Sequence, residues 1–199
     1  MRKAMLAAAM VLALMAPSFA QAPQGTPVNV RGKIVKVSGQ MLTVKTREGQ
    51  TVTITLAPNA PVRTLVRKKL SDIHDGDYIA STSMHGKDGK LHALEIHFLP
   101  PVVPELQMPY DLHPDSVMTN AHVSGVAKMK GGTDLSLTYK GTATDIVVDP
   151  KTVIVAFADG AMSDLKPGKA VMLRATKAAD GAITANNVTV EKNGVKPPM

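Results

Sequence analysis

The chain has 199 residues, of which 44% are hydrophobic, a globular composition with room for one or two domains. It contains no cysteine, which excludes disulfides, thiolate metal sites and a lipid-modified cysteine at a leader's end. The formal charge is +7; without Arg2 and Lys3 it is 21 basic against 16 acidic residues, or +5, a surface that attracts anions weakly and without specificity.

Arg2 and Lys3 precede an apolar run from Ala4 to Ala16, then Pro17 and Ser18-Phe19-Ala20. A charged start, a short apolar stretch and small residues at the cut site predict a signal peptide over 1–22, cleaved after Ala20 or Ala22. A membrane-spanning helix needs roughly 20 apolar residues, more than this run supplies, and no later run approaches that length. The expected location is the periplasm, with no transmembrane segment in the mature chain.

From Val28 the pattern has period two. Val28, Val30 and Ile34 alternate with Asn29, Arg31 and Lys33. Gly39-Gln40 turns the chain into Leu42–Thr46, and Glu48-Gly49-Gln50 turns it into Val52–Leu56. This predicts half-buried antiparallel strands in a meander. Val62, Leu65, Val66 and Leu70 fall at helical spacing, with Arg63, Arg67, Lys68 and Lys69 outside them, so a short helix is expected over 62–70. A turn at 71–76, a strand at 77–84 and an Asp88-Gly89 hairpin into 90–99 complete the unit. Three strands, a short helix and two strands match the order of the five-stranded OB-fold barrel.

The stretch 100–121 holds Pro100, Pro101, Pro104, Pro109 and Pro114, which forbid a central strand or a long helix. Its apolar residues (Val102, Val103, Leu106, Met108, Tyr110, Leu112) predict a connector packed on the barrels rather than a free spacer.

The sequence after the connector echoes the sequence before it. Gly32 aligns with Gly125, Gly39 with Gly132 and Leu42-Thr43-Val44 with Leu135-Ser136-Leu137. After one gap, Pro58 aligns with Pro150, Ser71-Asp72 with Ser163-Asp164, and Asp88-Gly89 with Asp180-Gly181. The predicted fold is all-β with short helices. It comprises two tandem OB-like five-stranded barrels, over 27–99 and 122–192, a packed connector at 100–121 and a tail at 193–199.

Val30–Val37 (Val-Arg-Gly-Lys-Ile-Val-Lys-Val) with Leu42-Thr43-Val44 resembles exported proteobacterial proteins that carry an OB-like domain of unknown function. Pro109–Pro114, Met118–Ala121 and the closing Gly194–Met199 resemble tandem members of that group. The resemblance spans nearly the whole mature chain and implies an exported barrel fold. Some relatives are named metal ABC transporter permease, yet this chain lacks the spanning helices of a permease. The resemblance brings no catalytic residues with it.

Enzyme signatures are absent: there is no Gly-x-Ser-x-Gly, no His-Glu-x-x-His and no phosphate-cradling glycine loop. Asp72, Asp75 and Asp77 do not have EF-hand spacing and read as turn residues. Glu95 and His97, two apart on one strand, share a face about 7 Å apart. With His85 and Met84 at the neighbouring hairpin they are candidates for a metal. Arg63, Arg67, Lys68 and Lys69 are candidates for contact with an anion. Nucleic acid is not expected, because the sheet positions of the second and third strands carry no aromatic platform. The sequence therefore predicts a non-enzymatic periplasmic binding or envelope-associated module without a cofactor. Its expected partner is an anionic polymer, a lipid surface or an envelope protein, and a periplasmic copper or zinc carrier or metal-transport accessory is the alternative.

Overall fold

In the computed structural model the described residues are 25–129 and 132–198; the leader expected at 1–22 lies outside them. Among the described residues thirteen strands run in chain order. They are β1 (Thr26–Ser38), β2 (Met41–Thr46), β3 (Thr51–Leu56), β4 (Val62–Arg67), β5 (Tyr78–His85), β6 (Leu91–Phe98), β7 (Leu106–Tyr110), β8 (Ser116–Met129), β9 (Gly132–Tyr139), β10 (Thr142–Val148), β11 (Val153–Asp159), β12 (Ala170–Lys177) and β13 (Ile183–Val190). The only described helical pieces are single 3-10 turns at Leu70–Asp72 and Met162–Asp164, so the protein is all-β. Among the described residues no helix is long and apolar enough to cross a membrane.

The strands close two five-stranded barrels. One runs β1-β2-β3-β13-β12 and back to β1, closed by the parallel pairing of β13 with β3. The other runs β8-β9-β10-β6-β5 and back to β8, closed by the parallel pairing of β10 with β6. Each has its own core. Ile34, Leu42, Val44, Ile54, Leu56, Leu173 and Val188 fill the first, and Ile79, Ile96, Leu135, Leu137 and Ile146 the second.

This arrangement redraws the expected boundaries. Neither 27–99 nor 122–192 closes a barrel from its own strands; β12 and β13 complete the barrel begun by β1–β3, while β5 and β6 complete that of β8–β10. The hydrophobic alternation of a strand states which face is buried and leaves open which neighbour it joins.

A second correction concerns 62–70. Val62–Arg67 is a strand, β4, and only Leu70–Asp72 turns helically. Three of its six residues, Val62, Thr64 and Val66, are β-branched, and strands flank it on both sides. β13 pairs with it in parallel and β11 antiparallel. Leu65 and Val155 form a small third cluster between the barrels, sealed by Val195 of the chain's tail.

The later elements of the two halves recur at one interval. The two 3-10 turns, β5 and β12, and β6 and β13 lie 92 residues apart. The alignment of Gly32 with Gly125 does not hold in space. Ile34 pairs with Val44 and Val123 with Leu137, so β1 matches β8 at an interval of 89. The span from Val123 to Leu137 is four residues longer than that from Ile34 to Val44, so β9 follows β2 at an interval of 93.

The connector contributes β7 and the start of β8. Pro109 sits in β7, which among the described strands pairs only with β8 and so tolerates a missing donor at its free edge. Leu112 is buried, whereas Val102 is 86% exposed and Met108 48%.

Candidate functional site

Between the two barrels lies a cleft of about 960 Å³. Its floor comes from four strands in matched pairs. Ala80 and Thr82 of β5 correspond to Met172 and Arg174 of β12, and Glu95 and His97 of β6 to Asn187 and Thr189 of β13, each 92 residues apart. A bulge between the paired residues of β5 and β6 puts Ala93 and Ile96 into the core, and Glu95 and His97 line the cleft. β12 and β13 carry the same irregularity, which frees Asn187 and Thr189 for the cleft. The connector supplies apolar wall: Val103, Leu106, Met108 and Tyr110.

Glu95 and His97 touch side chain to side chain, with Nε2 of His97 against Oε1 of Glu95. Burial pushes the Glu95 carboxyl up to about 7, against a smaller pull downward from Arg31. Burial also pushes the His97 imidazole down to about 4, helped by the charge of Arg174. Both shifts share their largest cause, since a dry site disfavours any charged form. Nδ1 of His97 and Oδ1 of Asn120 are buried without a hydrogen-bond partner, and both residues line the cleft. The His97 ring lies 5.1 Å from that of Phe157.

At one side Arg31, 2% exposed, donates to Asp111 at 2.8 Å and lies 5.3 Å from the Tyr110 ring centroid. Burial pushes Asp111 up, but the Arg31 hydrogen bond and charge outweigh it and hold the carboxyl below its usual range. Asn29 donates to the same carboxylate, and Arg47 donates to the carbonyls of Asp111 and Leu112. These contacts clamp the connector onto the first barrel.

Of the residues singled out in the sequence, the structure joins some and separates others. Glu95 and His97 meet on the cleft floor. Met84 and His85 sit at the far end of β5, opposite His92 and Leu91, outside the cleft lining. Among the described residues no group of three His, Cys, Asp or Glu side chains is placed to hold a metal. Of the four cations at 63–69, Arg63 lines the cleft, its guanidinium 5.6 Å from the Phe157 ring centroid, while Lys68 lies 5.9 Å from that of Phe98. On a strand Arg63 and Arg67 stand about 13 Å apart, so the four do not form one helical face. Asp72 and Asp77 accept the backbone N–H groups of Lys69 and His74, as turn residues do.

Sequence reasoning missed Arg174, Asn187, Phe157 and the Arg31–Asp111 pair. Arg174 carried a usable signal, because it is the single charged residue in the first six of β12, between the apolar Leu173 and Ala175. No protein-family model, curated protein or solved structure matches the chain.

Proposed function

We propose that the protein is a non-enzymatic binding module of the cell envelope, exported by its leader, that receives its ligand in the cleft between the barrels. The carrying observation is the cleft itself: about 960 Å³, at the upper end for small-molecule sites, with apolar walls and a few convergent polar groups. The 92-residue interval shared by the 3-10 turns, β5 and β12, and β6 and β13 supports a duplicated OB-like unit whose copies exchange their last two strands. In each barrel the third strand pairs with the fifth of the other copy, the order of an OB fold.

One observation favours a second reading, a copper or zinc carrier. Glu95 and His97 are in contact, and Met108, Met118 and Met172 line the same cleft. Thioether and imidazole together suit copper.

A thermal-shift screen of copper, zinc, calcium, anionic polymers and small amphiphiles tests both, since a ligand of the native state raises the midpoint. A cleft ligand raises the parent's midpoint and loses this effect in Asn187→Trp, which fills the space. Equal rises in both proteins would place binding elsewhere. A metal-dependent rise should vanish in Glu95→Gln/His97→Ala, and no rise in the parent ends the carrier reading.

A further inference from the structure

We infer that the cleft takes a single-chain amphiphile with an anionic head, held at the head by Arg174 and Arg63 and along the chain by the connector. The inference rests on the reading of the cleft as the binding site. Its acidic groups are already answered: Asp111 accepts from Arg31 and Asn29, and Glu95 is closed against His97. Arg63 and Arg174 make no ion pair with any described residue, and both line the cleft. Both are exposed, Arg63 over the Phe157 ring, so water reaches their guanidiniums and a carboxylate or phosphate entering the cleft can take them in bidentate fashion.

The rest of the lining calls for hydrocarbon. Val103, Leu106 and Met108 stand on the connector side, and Met172 and Phe157 on the strand side. Val102 and Met108, two of the exposed large apolar residues of the protein, both fall on this cleft. A bare ion would leave those walls unused, and a polyanion would need a row of cations where the lining offers two. Oδ1 of Asn120, in a residue only 4% exposed, remains free for a donor such as a head-group hydroxyl.

Calorimetric titration with decanoate, decyl phosphate, 1-decanol and acetate tests this, using the parent, Arg63→Gln/Arg174→Gln and the charge-matched control Lys36→Gln/Lys45→Gln. One or both anionic amphiphiles should bind the parent at least about tenfold more tightly than decanol or acetate, as a charged hydrogen bond provides. The arginine pair should abolish that preference and the lysine pair should keep it. The stronger of decanoate and decyl phosphate identifies the head as carboxylate or phosphate. Decanol binding as tightly as the anions, or equal loss in both variants, would overturn the inference. Silence from all four compounds, while another compound shows the Asn187→Trp-sensitive shift, would overturn the amphiphile and leave the cleft standing. Silence from every compound would remove both.

Discussion

Leu65 and Phe157 face each other across the β4–β11 ladder, and they are 92 residues apart, the same interval that relates the two 3-10 turns. On the proposed duplication these two positions are equivalent, and their pairing is what a twofold relation between the halves requires. Each barrel takes strands from both halves of the chain, and the cleft lies between the barrels.

Cleavage at the exposed Val102 therefore should not release two domains. The first piece holds β1–β6 and the second β7–β13, and each barrel needs strands from both. The cut protein should elute at the size of the uncut chain and unfold in one transition. Two folded particles of half the mass would show that each half closes its own barrel.

The Glu95–His97 pair makes a prediction whose sign can be worked out. In the fold Glu95 keeps its proton to about pH 7 and His97 stays neutral down to about pH 4. Near pH 5.5 the folded pair therefore holds one proton, on Glu95, and the unfolded pair also holds one, on the histidine. Equal proton counts give no slope, so the pair adds little pH dependence between about 4.5 and 6.5. Removing one partner exposes the slope of the other. In Glu95→Gln the unfolded histidine binds the extra proton, so stability should rise from pH 4 to 6.5. In His97→Asn the folded Glu95 binds it, so stability should fall from pH 4.5 to 7. Each change should be about 3 kcal/mol, from 1.36 kcal/mol per pKa unit. Chemical denaturation of both variants across this range checks the signs, and parallel curves would contradict the assignment.

Asp111→Ala strands a buried guanidinium. Arg31 has almost no exposed side-chain surface, whereas Asp111 is about half exposed. Loss of one partner of a buried pair costs about 3 kcal/mol, and Arg31→Met, which removes the charge as well, should cost less. Urea unfolding of the two variants gives the comparison; a smaller loss for Asp111→Ala would mean water reaches Arg31.

Gly32 tests the packing of β1 between β12 and β2. A Cβ there would lie 2.2 Å from the Lys45 carbonyl oxygen, a backbone atom that cannot swing aside. Gly32→Ala should destabilise by about 1–3 kcal/mol, the range for overpacking. A neutral effect in thermal unfolding would show that β2 shifts freely.

Much of the strand layout was legible because it is local. Alternation located β1, β2 and β3, and Gly39, Gly49 and Gly89 adopt the positive φ their turns require. The strand β4 was missed because Leu65, adjacent to the buried Thr64, is covered where β11 crosses it, and so imitates helical spacing. The partner of β1 was invisible because Val171 beside Gly32 satisfies the same burial pattern as Ile79 would. Glu95 and His97 were found as neighbours on one strand. Arg174, Asn187 and Phe157 come from three other strands, and only the closed sheet brings them to one cleft.

The most direct measurement is an amide chemical-shift map of the chain with the compound that most raises its melting midpoint. Perturbations should centre on Thr82, Glu95, Arg174 and Asn187, with Arg63 and Phe157 at the rim, and should spare Arg67–Lys69. Shifts concentrated at Arg67, Lys68 and Lys69, or spread evenly over both barrels, would contradict a site in the cleft.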